Sequence, residues 1–136
     1  MTERVRVLAV DDDPMILELL QRGLEPMGFV VQTVPGPSEA RKALERSAPP
    51  DLVLVDANIP GVSGNDLAAF AAACAPVRLV LLSADDPASL RRLASRIGAH
   101  GWLSKSAPLD ELGKQLLALH RRPRAGPSGS PEREPK

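Results

Sequence analysis

The sequence of 136 residues predicts an α/β fold, a doubly wound parallel sheet of five strands with five helices. Five short apolar runs alternate along it with five segments in which apolar residues recur at helical spacing. The run at residues 52–55 is continuous and bounded by turn residues, which is typical of a parallel strand buried on both faces. Strands that alternate with helices form parallel sheets with right-handed crossovers. We therefore expect the flavodoxin-like strand order 2-1-3-4-5.

The predicted strands end in polar residues that share one edge of the sheet. The strands occupy residues 5–10, 29–34, 52–55, 77–82 and 102–104. Asp11 and Asp12 follow the first strand, Asp56 the third, Ser83 the fourth and Lys105 the fifth. Because ligands bind at the carboxyl ends of the strands in open α/β sheets, we expect these five side chains to form one site.

The first helix is predicted from its start and stop signals. Pro14 suits the first helical turn, with Asp13 as the N-cap. An apolar series then recurs at helical spacing, and its members are Met15, Ile16, Leu19, Leu20 and Leu24. Met15 is expected to be a packing residue. The Pro-Met-Gly segment at residues 26–28 is expected to end this helix.

The later helices are predicted from similar signals. Ser38 opens the second, Asn65 or Asp66 caps the third, residues 87–97 form the fourth, and Pro108 starts the last. Cys74 lies on the apolar side of the third helix and is expected to be a buried packing residue, not a reactive thiol. Gly113 lies within the last helix, where glycine costs about 1 kcal/mol relative to alanine.

Composition limits the class of protein. Lysine and arginine number 17, as do aspartate and glutamate, and the resulting net charge of zero argues against direct binding to nucleic acid or a membrane surface. The single cysteine excludes an intrachain disulfide. The N-terminus lacks the apolar core of a signal peptide and no apolar run reaches membrane-spanning length, so we expect a cytoplasmic protein.

The chain is expected to divide into a domain and a tail. Residues 1–121 have the length of a single domain. From residue 122 onward, no apolar residue is larger than Ala125, and proline, glycine and charged residues dominate. Such a segment cannot bury enough apolar surface to offset its ordering entropy. Residues 122–136 are therefore predicted to be a disordered tail or linker.

The carboxylates at the strand ends indicate a metal site. Asp11, Asp12 and Asp56 would repel one another if they converged without a cation, and their pKa values would rise. A hard cation with oxygen ligands resolves this repulsion. Mg²⁺ fits, because it binds few carboxylates, keeps waters and accepts phosphate oxygens. The backbone carbonyl of Asn58 is near enough in sequence to be a further ligand.

The same edge carries groups suited to phosphoryl chemistry. Lys105 offers a compact positive charge for a phosphoryl group, and Ser83 offers a hydroxyl donor. A carboxylate such as Asp56 can itself be phosphorylated. Asn58 and Asp85 each lie two residues beyond one of these strand ends, at the expected mouth of the site. There they can position or block a water that hydrolyses the phosphoryl group.

Four segments at the predicted strand ends form a set. They are VDDDP at 10–14, LVD at 54–56 with Pro60, Gly61 and Gly64, LSA at 82–84, and GWLSK at 101–105. Each is weak alone, but all four stand in one order along the chain. Together they resemble the receiver domain of bacterial two-component response regulators. The resemblance covers residues 4–121.

The resemblance implies a role for each site residue. Asp56 would accept a phosphoryl group from a phosphohistidine on a sensor histidine kinase or phosphotransfer protein. Asp12 would bind Mg²⁺ directly, and Asp11 through water. Lys105 would pair with the phosphate, and Ser83 would be the switch hydroxyl.

The resemblance also implies an output surface. Trp102 stands where the family has an aromatic switch, commonly tyrosine or phenylalanine. The face made by residues 87–121 would bind a downstream protein target or form a homodimer. The protein would be a phosphoacceptor signalling domain, not an enzyme, although it would promote its own phosphorylation and dephosphorylation.

Three positions depart from the family pattern. Ser106 follows the lysine where the family usually has proline, often after a cis peptide, and a cis bond to a non-proline residue costs about 2.5–4 kcal/mol. Ser83 replaces the commoner threonine but keeps the hydroxyl. Trp102 is bulkier than tyrosine, so an inward rotamer is harder to accommodate.

Two alternative functions fit part of this pattern. A phosphatase of the haloacid dehalogenase type also uses a strand-end aspartate, Mg²⁺, a serine or threonine, and a lysine, and Asp11-x-Asp13 superficially fits its motif. It is disfavoured because Met15 stands where threonine or valine is expected, and Asp56 would have no role. The other alternative is a receiver-like scaffold that signals without phosphate, against which the complete set of acidic residues and lysine argues.

Overall fold

The computed structural model describes residues 4–46 and 48–123, which contain a five-stranded parallel sheet. Its strands are β1 (Val5–Val10), β2 (Phe29–Val34), β3 (Leu52–Asp56), β4 (Arg78–Ser83) and β5 (Gly101–Ser104). They pair in the order β2-β1-β3-β4-β5, which confirms the predicted topology. The helices are α1 (Pro14–Leu24), α2 (Pro37–Arg46), α3 (Gly64–Cys74), α4 (Pro87–Ile97) and α5 (Leu109–Arg121).

Helices cover both faces of the sheet and bury two apolar layers. On one face α2, α3 and α4 pack on the strands, with Phe70 of α3 fully buried. On the other face α1 and α5 do so, with Leu116 of α5 fully buried. Successive side chains of a strand point to opposite faces, so Val53 joins the first layer and Leu54 the second. The central strand is therefore apolar throughout until it reaches Asp56.

The start of α3 differs from the prediction. The N-cap of α3 is Ser63, not Asn65 or Asp66. The Ser63 hydroxyl accepts a hydrogen bond from the Asp66 N–H at 3.0 Å, and the Asp66 carboxylate accepts one from the Ser63 N–H at 2.9 Å. This reciprocal capping box places Asp66 in the first turn of the helix. The end of α1 agrees with the prediction, since the helix stops at Leu24 and the 3₁₀ turn that follows, Glu25–Met27, ends at Gly28.

The start of α1 is partly as predicted. Asp13 is its N-cap, and its carboxylate accepts a hydrogen bond from the Met15 N–H at 3.0 Å. The packing role predicted for Met15 was wrong, since this residue is 71% exposed, and Leu19 of the same apolar series is 52% exposed. Helical spacing marks an apolar stripe but does not say which part of it meets the core, and of the predicted series α1 buries Leu20 and Leu24.

Glycines let α1 and α5 approach each other closely. Gly113 of α5 is buried, and a β-carbon added there would lie 2.5 Å from the sulfur of Met27. A β-carbon on Gly23 of α1 would meet the side chain of Leu109. Glycine at position 113 lowers the helix propensity, but it leaves the space in which Met27 packs against α5.

Cys74 is buried in the layer under α3, as predicted. Burial raises the pKa of its thiol to about 11, against a smaller opposing effect of Arg41. The thiolate is the nucleophilic form of cysteine, so this residue is inert at neutral pH.

The predicted tail lies largely outside the described residues, which end at Pro123, just after α5. Within the described part of the chain, every helix is too short or too polar to cross a membrane.

Candidate functional site

The carboxyl ends of β1, β3 and β4 and the turn after β5 bring the predicted site residues together. Asp11 and Asp56 are 2% and 4% exposed, and Ser83 is fully buried. Asp12 is exposed at the mouth of the site. One carboxylate oxygen from each of the three aspartates lies within 4.8 Å of the others. The parallel sheet therefore gathers three acidic groups from two strands into one cluster.

Lys105 supplies the positive charge at this cluster. Its Nζ lies 3.1 Å from Asp11 Oδ2 and 3.3 Å from Asp56 Oδ1. The lysine side chain is 24% exposed, so it reaches inward from the surface. Its backbone N–H donates to the Ser83 carbonyl at 2.9 Å, which ties the turn after β5 to the end of β4. Within the described residues, no other lysine or arginine pairs with either buried carboxylate.

Burial and charge shift the protonation of the two partners. Desolvation raises the pKa of Asp56, and the Asp11 charge raises it further; the Asn58 N–H and the Lys105 ammonium lower it but are outweighed. That N–H donates to Asp56 Oδ1 at 3.0 Å. Burial alone would lower the pKa of Lys105, but its contacts with Asp11 and Asp56 outweigh burial, so this pKa is raised.

The excess negative charge fits a divalent cation. In the described part of the chain, Asp11 Oδ2 is the buried side-chain oxygen that takes part in no hydrogen bond. Its contact with Lys105 has the distance of an ion pair but not the geometry of a hydrogen bond. Hard cations such as Mg²⁺ take carboxylate oxygens as ligands. The three aspartates therefore fit Mg²⁺, whereas the Asn58 carbonyl as a ligand stays a prediction.

The hydroxyl of Ser83 is held on two sides. The Asn58 side-chain amide donates to its Oγ at 2.8 Å, and the Asp85 N–H donates to it at 3.0 Å. A serine oxygen has two acceptor lone pairs and one proton. Both lone pairs are engaged, so the proton of Ser83 is the group left to bond a ligand.

Trp102 lies away from the carboxylates, on the face made by α4, β5 and α5. It is partly buried against the layer under α4 and lines a groove of about 770 Å³. Arg91 and Arg122 line the same groove. In the sheet, Trp102 pairs with Leu81, two residues before Ser83. The neighbouring strands β4 and β5 thus carry both Ser83 of the site and Trp102 of the groove.

The sequence prediction missed a buried cation at the opposite edge of the sheet. Arg78, the first residue of β4, is 7% exposed. Its guanidinium donates to the main-chain carbonyls of Leu119 and Arg122, and to that of His120 at 3.3 Å. These carbonyls lie at the C-terminal end of α5, where a helix leaves acceptors without intrahelical donors. The available signal was an arginine inside an apolar strand.

The prediction also missed a turn built by the serines that flank Lys105. The Ser104 Oγ accepts a hydrogen bond from the Ser106 N–H at 3.1 Å and lies 2.7 Å from the Ser106 Oγ. The Lys105–Ser106 peptide is trans, so the chain turns here without a cis bond. The signal was the Ser-Lys-Ser triplet, because serine hydroxyls bond main-chain groups two residues away.

Relatives of this chain come from one family. The family model for the response regulator receiver domain matches residues 7–117. The DNA-binding response regulator MtrA of Mycolicibacterium smegmatis is 35% identical over 121 residues, 89% of this chain and 53% of that protein. The transcriptional regulatory protein PrrA of Mycobacterium tuberculosis is 38% identical over 119 residues, 86% of this chain and 50% of that protein. The chain spans about half the length of the curated relatives it matches.

Solved structures share the fold. A response regulator from Thermotoga maritima superimposes with a TM-score of 0.77 at 24% identity, over 88% of this chain and 99% of that chain. A response regulator receiver protein from Burkholderia phymatum does so with a TM-score of 0.75 at 26% identity, over 86% and 95%. The match to the family model establishes that the chain belongs to the receiver domain family of two-component response regulators.

Proposed function

We propose that Asp56 accepts a phosphoryl group from a histidine-bound donor, and that the phosphorylated domain changes the surface formed by α4, β5 and α5. The observation that carries this proposal is the surroundings of Asp56. It is a buried carboxylate 3.3 Å from the Lys105 ammonium, beside two further carboxylates. A perturbed group within a charge cluster, at the carboxyl end of a central parallel strand, is where chemistry is expected.

The chain's own residues divide the transfer step among them. A carboxylate oxygen of Asp56 forms a bond to phosphorus while the bond from phosphorus to the donor nitrogen breaks, and that electron pair stays on the nitrogen. Lys105 neutralises charge on the phosphoryl oxygens. The Ser83 O–H donates a hydrogen bond to one of these oxygens, because its lone pairs already accept hydrogen bonds from Asn58 and Asp85.

Mg²⁺ completes the proposed site. Asp12 and Asp56 would hold it directly, Asp11 through water, and the Asn58 carbonyl would be a further ligand. When bound, the ion supplies positive charge that offsets repulsion among the carboxylates and polarises the phosphoryl oxygens. The hydrogen-bond-free oxygen of Asp11 supports this placement.

Loss of the phosphoryl group would occur in the same site by attack of water on phosphorus. Asn58 and Asp85 are both exposed and both contact the Ser83 hydroxyl. Asn58 makes this contact through its side chain and Asp85 through its main-chain N–H, so both positions would lie beside the approach of water to the phosphorylated Asp56. We assign them the tuning of phosphoryl lifetime.

The donor would be a sensor histidine kinase or phosphotransfer protein, met in the cytoplasm, where ATP is available. Met15 and Leu19 support docking of a protein beside the site, because these exposed apolar residues lie on the helix that follows Asp12 directly. The domain would act as a phosphoacceptor, not as an enzyme with turnover. Residues 1–121 would form this unit, and residues 122–136 the tail or linker after it.

The output would pass through Trp102 and the groove at residues 87–121, to a downstream protein or a second copy of the chain. Relatives named as DNA-binding or transcriptional regulators favour an output in transcription. Phosphate on Asp56 would bias a two-state element through its contact with Ser83.

Beryllofluoride with Mg²⁺ is expected to change Trp102 emission, less so in Ser83→Ala and not at all in Asp56→Asn. Flat emission in a wild-type sample shown to bind beryllofluoride would remove Trp102 from the switch.

The deciding experiment is intact-mass analysis after treatment with acetyl phosphate and Mg²⁺. We expect one added phosphoryl group in the wild type and none in Asp56→Asn, a near-isosteric variant that keeps the fold. Stoichiometric labelling of the variant would disprove the assignment to Asp56. No labelling of the folded wild type would favour the phosphate-independent scaffold, and steady hydrolysis of phosphate esters would favour the phosphatase.

A further inference from the structure

The position of Lys105 depends on a short turn with few anchors. Among the described residues, Lys105 is the cation that contacts both Asp11 and Asp56, so its main chain must be held in one place. On its N-terminal side this is achieved by β5, whose last register pair is Ser83 with Ser104, and by the bond from the Lys105 N–H to the Ser83 carbonyl. Beyond Lys105 the strand ladder has ended.

On the C-terminal side of Lys105, the anchors of the turn converge on Ser104. Its Oγ accepts from the Ser106 N–H at 3.1 Å and shares a hydrogen bond with the Ser106 hydroxyl at 2.7 Å. Its carbonyl accepts from the Ala107 N–H at 3.2 Å. Two of these three interactions need the Ser104 hydroxyl. Alanine at this position would keep only the longest of them.

We propose that the Ser104 hydroxyl is a positioning group that fixes the turn carrying Lys105 and so presents its ammonium to Asp11 and Asp56. The inference rests on the proposed function of Asp56 as phosphoacceptor. Small misplacements of a group that stabilises a transition state are costly, because its contribution depends on near-ideal geometry. The lysine side chain is long and partly exposed, so its own packing restrains it weakly.

A purely structural role makes a different prediction. If the two serines only stabilise the loop, loss of the Ser104 hydroxyl lowers stability, and any effect on labelling is independent of residue 105. If Ser104 acts through Lys105, its loss slows labelling only while the lysine is present. A double-mutant cycle separates these cases.

The experiment measures the initial rate of Asp56 labelling by acetyl phosphate with Mg²⁺, using intact mass. We expect Ser104→Ala to slow labelling about three- to tenfold, the size of one net hydrogen bond. Ser104→Thr keeps the hydroxyl and should restore the rate. Ser106→Ala keeps the N–H and should lose less than Ser104→Ala. Ser38→Ala, which removes an exposed hydroxyl from α2, away from the site and from the α4–β5–α5 groove, is the matched control and should label like the wild type.

In the Lys105→Ala background, adding Ser104→Ala should change the rate no further. An equal slowing in both backgrounds, or a wild-type rate in Ser104→Ala, would overturn the inference. If Ser104→Ala folds poorly in urea titrations, Ser104→Cys serves instead, since a thiol keeps the size but accepts hydrogen bonds weakly. Absence of labelling in the wild type would instead refute the proposed function, and the positioning role with it.

Discussion

The two edges of the sheet both bury charge, but they neutralise it in opposite ways. At the carboxyl edge, Asp11 and Asp56 share one partly exposed lysine, and an oxygen of Asp11 accepts no hydrogen bond. At the amino edge, the Arg78 guanidinium is held by main-chain carbonyls at the end of α5. There too, the Asp51 carboxylate accepts the Arg6 N–H at 2.8 Å.

This difference separates a ligand-binding site at the carboxyl edge from a structural joint at the amino edge, where Arg78 links β4 to the end of α5. At the amino edge, the buried Arg78 guanidinium and the Asp51 carboxylate both form hydrogen bonds with the protein's own main chain. At the carboxyl edge, like charges lie together, and one buried oxygen of Asp11 accepts no hydrogen bond. This arrangement raises the pKa of Asp56 and favours the binding of a cation. Disturbing the amino edge should therefore lower the free energy of unfolding, whereas removing the charge of Asp56 at the carboxyl edge should not.

The largest expected effect is at the amino edge. Arg78→Met should lower the free energy of unfolding by about 3 kcal/mol, because it removes the hydrogen bonds from a buried, charged guanidinium to the main chain at the end of α5. Urea titration followed by Trp102 emission would measure it, and Arg91→Met, at an exposed arginine, is the matched control. Labelling of Asp56 in the folded fraction should stay close to wild type. A loss below about 1 kcal/mol would mean that water replaces the guanidinium, and the two edges would not differ as described.

A smaller effect of opposite sign is expected at the carboxyl edge. Without metal at neutral pH, Asp56→Asn should raise the free energy of unfolding by about 1 kcal/mol, since it removes a buried charge whose ionisation the fold disfavours. Mg²⁺ should stabilise the wild type more than the variant and narrow the gap; ten times its dissociation constant adds about 1.4 kcal/mol. Urea titrations with EDTA and with Mg²⁺ would measure both.

The sign of the pH dependence follows from the raised pKa of Asp56. The unfolded state loses this proton near pH 3.9, roughly the usual value, whereas the native state holds it to higher pH. Wild-type stability without metal should therefore fall as pH rises through that window. The advantage of Asp56→Asn should be small below about pH 3.9 and reach a plateau above the native pKa. An advantage that is constant across this range would exclude ionisation as its cause.

The fold and the cluster were predictable because they depend on patterns that burial enforces. The apolar run at 52–55 had to be a central strand, and a parallel sheet brings strand ends to one edge, so the meeting of Asp11, Asp56 and Lys105 followed from topology. What remained open was orientation about a helix axis. Met15 and Leu19 fit the apolar period of α1 but face outward.

The contacts that sequence patterns did not anticipate are made between side chains and the main chain. In the sequence, Arg78 interrupts an apolar strand. In three dimensions, its guanidinium donates to carbonyls at the end of α5, a helix that ends 43 residues later, at Arg121. Ser63 could not be distinguished from Asn65 as a cap, since both residue types accept hydrogen bonds from helix N–H groups. Such partners depend on where a helix end lies in space, which periodicity does not specify.

The smallest expected effect concerns His100, again at the amino edge. Its Nδ1 accepts a hydrogen bond from the Leu79 N–H at 3.1 Å, next to Arg78. His100→Ala removes this acceptor and should lower the free energy of unfolding by about 1 kcal/mol or less, because the position is exposed enough for water to replace it. His100→Asn places an acceptor near the same point and should lose less, and urea titration would rank the variants. If the joint around Arg78 is cooperative, combining His100→Ala with Arg78→Met should cost less than the sum of the single changes. Additive losses would mean that each group anchors β4 separately, and that the amino edge is a set of independent contacts and not one joint.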